Sequence, residues 1–373
     1  MTSTPSTVSL RAKLLAAMLA ITVSFGLCEL GARLVYPAPP EPAREPQIYY
    51  QSDQNLGFIH VPNQSGYLDD GLATINSIGL RGDLPQLPKP GGEFRILAVG
   101  DSTTFGWGVM DDETYCAVLE SLLRERFPAR AIRVVNGGVG AYDLERSAGL
   151  LEHLGPQLQP DLVLVGAYWN DLPYEGVSPD GNEIGRRPSS PWNGGAGRAM
   201  AADGEPKPFR IGNHPSGLNR VLRQSRALFV IRHAWLAAVA PTEAADNLVQ
   251  WEMALLEGRE SPAIDQGWAE IGRTLARIRG LGDRGGFAVG VVILPIRAQV
   301  EGSYPHAAYQ TRVSALAEEQ GFFVVDPLPK FIAAPGRSGL FIPFDRMHLS
   351  AEGNALIAEA VFEVLRDRME AGS

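Results

Sequence analysis

The sequence predicts an α/β domain, a parallel sheet covered by helices on both faces, with one apolar helix ahead of it at the N-terminus. Three observations predict it. From Phe94 onward, short apolar runs alternate with segments of helical periodicity, and strands alternating with helices imply parallel pairing with burial on both sides. Capping residues stand at the joints between these segments. A charge-poor stretch near the start is set apart from the rest by a proline-rich joint.

The first stretch begins with Arg11 and Lys13, followed by a charge-free run from Leu14 to Cys28. That run alone is short for a membrane span and would suit the apolar core of a signal peptide. Counting on through Tyr36 gives enough length to cross, with Glu29 and Arg33 paired on one helix face near the outer interface. No small-x-small cleavage site stands out, and Leu27 is a poor fit to lipoprotein cleavage before Cys28. Residues 1–36 are expected to form an uncleaved signal anchor, with a cleaved signal peptide as the alternative and a buried core helix as a third reading. Either of the first two exports the remainder, because the positive flank stays inside. A single-pass protein of the cell membrane is expected, with its domain in the periplasm or outside the cell.

Residues 37–92 are expected to be a linker and extension. Pro37 to Pro46 reads as stiff and extended. A polar, turn-rich stretch follows to about Gly92, with short extended pieces such as Gly57–Val61 and the run Ile75-Asn76-Ser77-Ile78-Gly79-Leu80-Arg81-Gly82.

The domain proper is expected over 93–373. Phe94–Val99 is a strand. Thr114–Phe127 is a helix, with Tyr115, Val118, Leu119, Leu122 and Leu123 at helical spacing and Asp111 or Asp112 placed to cap it. Ile132–Val135 is a second strand, and Asp143 caps a helix ending at Gly155-Pro156. Leu162–Val165 is a third strand. Later come a helix at Trp268–Arg279, a strand at Phe287–Leu294, a helix at Pro305–Glu319 and a strand at Phe322–Val325. Ser350 caps a last helix that buries Leu356, Ile357, Val361, Val364 and Leu365. Between the third and fourth strands, at about 173–260, regularity lapses into a Gly-, Pro- and Ser-rich stretch and then helical segments at Leu218–Val239 and Ala244–Glu257. This reads as an insertion over one sheet edge, either a lid or a packing element without a role in the chemistry.

Composition removes several function classes. A formal net charge of −9 leaves no general basic footprint, so no nucleic-acid partner is expected. Two cysteines, Cys28 and Cys116, are too few for a cysteine metal site, and Cys28 lies in the apolar segment, so no disulfide is expected. No HExxH, EF-hand or P-loop pattern occurs, and neither metal nor cofactor is expected.

In a doubly wound sheet, functional groups collect beyond the carboxyl ends of the strands. After the first strand stands Gly100-Asp101-Ser102-Thr103; after the second, Asn136-Gly137-Gly138-Val139-Gly140. Tyr168-Trp169-Asn170-Asp171 follows the third, and Asp345-Arg346-Met347-His348 precedes the last helix. These are the parts of acyl transfer through serine. Ser102 needs a base to become a nucleophile. His348 can be that base, and Asp345 can hold its tautomer and stabilise the imidazolium. The backbone N–H groups of Ser102 and Gly140 and the side-chain amide of Asn170 can receive the oxyanion.

Ile96 to Ser102 resembles the first block of the SGNH/GDSL hydrolase family. Asn136–Gly140, Asn170-Asp171 and Asp345–His348, with Leu349, Ser350 and Gly353, resemble its other blocks, in family order from about Phe94 to the C-terminus. Asn76-Ser77 and Gly79-Leu80-Arg81-Gly82 resemble a lead-in of membrane-tethered bacterial members. The resemblance implies a flavodoxin-like three-layer α/β/α sandwich and metal-independent activity on esters. One departure stands out: Tyr168 occupies the place where the family usually has Gly, two before the third-block Asn, which puts the pocket floor in doubt.

Taken singly, each block has a bland reading as a turn, loop or helix cap; together, in order and each after a strand, they point to a site. His60, His153, His214, His233 and His306 have no comparable setting and read as surface or packing residues. Trp107 and Trp169 could stack on a sugar ring or acyl chain, though packing is the favoured reading. The function expected is ester hydrolysis outside the cytoplasm through an acyl-enzyme on Ser102, with an acylated small molecule or carbohydrate as substrate. The alternatives are an O-acyltransferase moving acetyl groups to or from cell-envelope polysaccharide, and a non-catalytic carbohydrate-binding protein. A flavin or nucleotide binder lacks its signatures.

Overall fold

The computed structural model describes residues 9–36, 45–172, 208–210, 225–239, 243–343 and 345–371. Most of the Pro37–Pro46 linker, residues 173–207 and 211–224 of the insertion, and His214 lie outside the described residues. In chain order the elements are α1 (Leu10–Val35), β1 (Tyr50–Asp53), β2 (Gly57–His60), β3 (Gln64–Leu68), β4 (Gly71–Ile75), β5 (Glu93–Gly100), α2 (Ser102–Phe105), α3 (Tyr115–Arg126), β6 (Ala131–Gly138), α4 (Leu144–Leu158) and β7 (Leu162–Ala167). They continue with α5 (Arg226–Val239), α6 (Glu243–Glu257), α7 (Pro262–Gly285), β8 (Ala288–Ile293), α8 (Arg297–Val300), α9 (Ala308–Glu319), β9 (Phe323–Val325), α10 (Leu328–Ala333) and α11 (Ala351–Ala371).

Two compact units result. One comprises residues 1–39 and 215–241; the other comprises 40–214 and 242–373. In the first, α1 has 26 residues, none buried, and a mean hydropathy of 1.9 in its most apolar window. At 1.5 Å per residue it is about 39 Å long, enough to cross a bilayer. Glu29 and Arg33 pair at 2.7 Å, as their spacing predicts. Glu29 has a second task that the spacing did not reveal. It accepts from the Ser225 hydroxyl at 2.7 Å and from the N–H groups of Arg226 and Ala227, capping α5. Arg226 in return donates to the carbonyls of Arg33 and Tyr36 at the end of α1. Each helix thus satisfies terminal groups that the other leaves open.

The second unit is built on a five-stranded parallel sheet in the order β6-β5-β7-β8-β9, the flavodoxin-like arrangement. Ile96–Gly100 of β5 and all of β7 are buried, which is why these strands read as continuous apolar runs rather than alternating ones. Helix α3 packs with α11, and α4 with α7. Right-handed crossovers put the α3 connection and the α4 connection on opposite faces, because the chain reverses direction across the sheet at β5. The product is the three-layer α/β/α sandwich.

Several boundaries differ from expectation, each for a local reason. Thr114, rather than Asp111 or Asp112, caps α3, accepting from the Ala117 N–H; Asp111 is occupied by Arg81 at 2.8 Å and by the Thr74 N–H. Asn136-Gly137-Gly138 ends strand β6 rather than forming a loop. A Cβ on Gly138 would come within 2.1 Å of the Phe105 nitrogen, so α2 can lie on this strand end only if the residue is glycine. Helix α4 runs past Gly155-Pro156 to Gln159, which closes it in the left-handed conformation. Helix α7 starts earlier, at a Ser261 cap, and α9 later, at Ala308. Ser350 caps α11 as expected, accepting from Gly353; Ile357, Val361 and Leu365 are buried, Leu356 and Val364 half-buried.

The extension before the sheet is not loose chain. It forms two antiparallel hairpins, β1–β2 and β3–β4, and then a turn. In that turn Asn76 Oδ1 accepts from Ile78 and Leu80, its amide donates to the Gly82 carbonyl, and Gly79 adopts φ +80°. The turn delivers Arg81, 4% exposed, beneath the loop that follows α2. Its guanidinium donates to the carbonyls of Phe105 (2.9 Å), Gly106 (2.6 Å) and Val109 (2.7 Å) and pairs with Asp111. Arg81→Met should leave the Val109 carbonyl without its donor, the Phe105 and Gly106 carbonyls with only Asn136 and the Val109 N–H, and Asp111 without its ion pair, and lower unfolding free energy by about 2–4 kcal/mol. A denaturation midpoint of the full chain in detergent micelles reads this directly, and a loss below about 1 kcal/mol would mean that water replaces the guanidinium there.

Candidate active site

The carboxyl ends of β5, β6 and β7 and the loop before α11 carry the predicted residues. Ser102 is the first residue of α2; Asp101 caps that turn, accepting from the Thr103 N–H at 2.8 Å. The Ser102 hydroxyl lies 2.9 Å from His348 Nε2, bridging 246 positions of sequence. On the other edge of the ring, Nδ1 lies 2.8 Å from Asp345 Oδ2. A carboxylate can only accept, so Nδ1 carries the proton and Nε2 is left to accept from the Ser102 hydroxyl. Asp345 Oδ1 accepts the N–H groups of Met347 (2.7 Å) and His348 (2.8 Å), so the DxxH spacing closes a small turn upon itself.

Electrostatics follow from these contacts. Burial alone would push the Asp345 carboxyl up. The imidazole charge, its ring hydrogen bond and the two N–H donors outweigh burial and hold it down at about 2. Burial alone would pull His348 down, but Asp345 first, then Asp101 and Asp69, raise it above its ordinary 6.5. The loop is clamped from outside these three residues as well. Arg297 on α8 donates to the carbonyls of Ile342 and Asp345, and Arg346 pairs with the buried Glu252 of α6. Neither Arg297 nor Glu252 has a local sequence signal; both act across long stretches of chain.

The expected oxyanion donors are gathered at the same rim. Gly140 follows Val139, whose N–H donates to the Gly100 carbonyl at the end of β5. Among the described residues, neither the Ser102 nor the Gly140 N–H donates to another main-chain carbonyl. Packing also requires glycine at 140: a Cβ there would stand 2.8 Å from the Tyr50 hydroxyl and 3.2 Å from the Trp107 ring. Asn170 sits in the short turn Trp169–Asp171 after β7. Its amide donates to Asp101 Oδ2 at 3.3 Å, leaving the second N–H of that amide available.

The aromatic residues separate. Trp169 is 3% exposed and packs in the core beside Tyr168, 1% exposed, so the Tyr168 ring points into packing and does not line an open pocket. Trp107 is half-buried and lies face-on to His348, with 5.3 Å between centroids and 15° between planes. His60 is buried between Tyr50 and Phe105 and donates from Nδ1 to the Gly79 carbonyl; burial brings its pKa down to about 4. His153 and His306 are exposed; His214 and the His233 side chain lie outside the described residues. Both thiols, Cys28 and Cys116, are free.

A model of the GDSL-like Lipase/Acylhydrolase family matches residues 98–356. No curated protein matches the chain. Among solved structures, the chain is similar to LAE5, an alpha/beta hydrolase enzyme from the metagenome of Lake Arreo, Spain. Identity is 16%, with 73% of this chain and 94% of that one covered and a TM-score of 0.38. It is also similar to Axe2, an acetylxylan esterase from Geobacillus stearothermophilus, at 15% identity, 73% and 93% coverage and TM-score 0.37. A third is the lipase/acylhydrolase from Enterococcus faecalis, at 13% identity, 74% and 96% coverage and TM-score 0.36.

The His348 ring should titrate above 6.5, and Asp345→Asn, which removes the charge opposite Nδ1, should bring it back down. NMR of the imidazole resonances across pH measures both. A wild-type ring that titrates at or below 6.5 would show that burial outweighs the carboxylates.

Proposed function

The chain belongs to the GDSL-like lipase/acylhydrolase family, a hydrolase family acting on ester bonds, and on that premise we propose that it works through an acyl-enzyme on Ser102 outside the cytoplasm. The observation that carries the proposal is the continuous path from the Ser102 hydroxyl through His348 to Asp345, at 2.9 and 2.8 Å.

In this reading His348 Nε2 takes the Ser102 proton as the oxygen bonds to the ester carbonyl carbon. The carbonyl oxygen becomes an oxyanion, held by the N–H groups of Ser102 and Gly140 and by the free N–H of the Asn170 amide. Asp345 keeps the ring oriented and balances the imidazolium charge. Collapse expels the alcohol, which takes the proton from Nε2, and leaves the acyl group on Ser102. A water, activated by the same imidazole, then releases the acid and restores the hydroxyl. A sugar hydroxyl in place of water would make the same protein an O-acyltransferase.

The location belongs to the same proposal. Residues 1–36 would be the uncleaved anchor, with Arg11 and Lys13 on the inner side, 37–92 the linker and extension, and 93–373 the hydrolase domain with its insertion at about 173–260. Membrane placement favours an acylated carbohydrate or small ester of the cell envelope as substrate. The family match and the site geometry support the ester chemistry, and the length and hydropathy of α1 support the anchor.

Ser102→Ala should abolish covalent labelling by a fluorophosphonate probe; labelling that persists would move the nucleophile elsewhere. Asn170→Ala should lower turnover of p-nitrophenyl acetate about a hundred- to a thousandfold if its amide serves the oxyanion, and an unchanged rate would remove it from that role. A panel of acetylated sugars, run with and without a sugar acceptor, separates the two fates of the acyl group. Free acid marks hydrolysis and a new ester marks transfer.

A further inference from the structure

The edges of the His348 ring are occupied by Ser102 and Asp345, and one face is covered by Trp107. The indole is anchored at two points. The Trp107 main-chain N–H donates to the Ser102 carbonyl at 3.0 Å, and the indole N–H donates to Asp69 Oδ2 at 2.7 Å. Asp69 comes from the two-residue turn of the β3–β4 hairpin, where it holds φ +51°, a left-handed conformation that Asp tolerates better than most residues. The hairpin tip cannot drift. Gly71 packs so closely on the 108–109 backbone that a Cβ there would fall 2.4 Å from the Val109 nitrogen, and the Leu72 and Thr74 N–H groups reach Met110 and Asp111.

We infer that Asp69 is a positioning residue of the active site: by accepting the indole N–H it locks Trp107 face-on against His348, fixing the imidazole plane and favouring the imidazolium formed as Ser102 attacks. The inference rests on the proposed role of His348 as base. When the Ser102 proton reaches Nε2, the ring gains a full positive charge. The indole face is the negative pole of its quadrupole and attracts that charge. A carboxylate accepting the indole N–H pushes electron density toward that face. Without the lock, a half-buried indole is free to rotate toward solvent. The other titratable or charged groups on the elements around the ring are Asp345 and Arg346 on its own loop, Asp101 after β5, Asp171 after β7, Arg297 on α8 and Asp70 beside Asp69.

The test uses the full chain in detergent micelles, with wild type, Asp69→Ala, Asp69→Asn, Trp107→Leu and the Asp69→Ala/Trp107→Leu pair. Hydrolysis of p-nitrophenyl acetate is measured across pH, and the His348 ring is titrated by NMR. Asp69→Ala should lower kcat about two- to thirtyfold with little change in KM, and move the acidic limb of kcat/KM and the ring titration to lower pH. Asp69→Asn keeps an acceptor oxygen for the indole and should recover most of the kcat. Trp107→Leu should match the kcat loss of Asp69→Ala, and the double variant should lose no further kcat, while its ring titration falls further because the Asp69 charge itself raises the ring. Overturning results are an Asp69→Ala protein with unchanged kcat, an equal Asp69→Ala effect on kcat in the Trp107→Leu background, or a Trp107→Leu ring that titrates as in wild type. Should wild type fail to label with fluorophosphonate at Ser102, the acyl-enzyme reading falls; the ring titration of Trp107→Leu, which keeps the Asp69 charge, still decides the inference without turnover, because it should lie below that of wild type only if the indole favours the imidazolium.

Discussion

A buried guanidinium organises the neighbourhood of Ser102. A cation taken out of water is tolerated only when nearly all its donors are met, and Arg81 meets this demand with the carbonyls of Phe105, Gly106 and Val109 and the Asp111 carboxylate. Burial draws the Arg81 pKa down, and Asp111 opposes it. The consequence for the loop is geometric. Carbonyls spread over residues 105–109 converge on one point, so the chain between them must turn tightly, and Trp107 projects from that turn. Asn136, at the end of β6, joins the same cluster by donating to Phe105. The extension before the sheet therefore shapes the site while lying outside the strand order that defines the fold.

The sheet solves a different problem, bringing distant residues together. Ser102 follows the first strand of the parallel sheet and His348 comes after the last, and β5 and β7 at its centre set the level at which their carboxyl ends stop. Turns alone could not hold the 2.9 Å contact between them. Arg297 ties the main chain of the Asp345 loop to α8, and Glu252 ties its outer side to α6. Helix α6 is thus engaged with the loop that carries His348.

Legibility in the sequence follows the range of the interaction responsible. Apolar runs such as Ile96–Val99 and Leu162–Val165 announced themselves because burial on both faces removes alternation. The caps at Asp143 and Ser350 were readable because a cap acts within three residues. The Asp345–His348 turn was readable for the same reason. Asp111, one of the two aspartates whose position suits a cap, does not act as one because Arg81, thirty positions earlier, recruits it. The β3–β4 hairpin leaves little trace in the sequence because its strands are five residues each and contain Gly66 and Gly71, and its purpose lies in Gly71 and Asp69, whose partners are some forty residues away. Trp107 carried no sign in the sequence of whether it faced a substrate, the core or the imidazole.

The balance around His348 is the last constraint. A base that is too basic stays protonated at neutral pH and cannot accept the serine proton; one that is not basic enough has little pull on it. Asp345, Asp101 and Asp69 all push the ring toward the charged form, and burial pushes it the other way. Losing one of these charges shifts the compromise, whereas opening the site to water would weaken every contribution at once. This is a physical reason for the indole at position 107. Covering one face of the ring with an apolar surface keeps water out, while the negative face of that surface still favours the cation, so one side chain serves both demands.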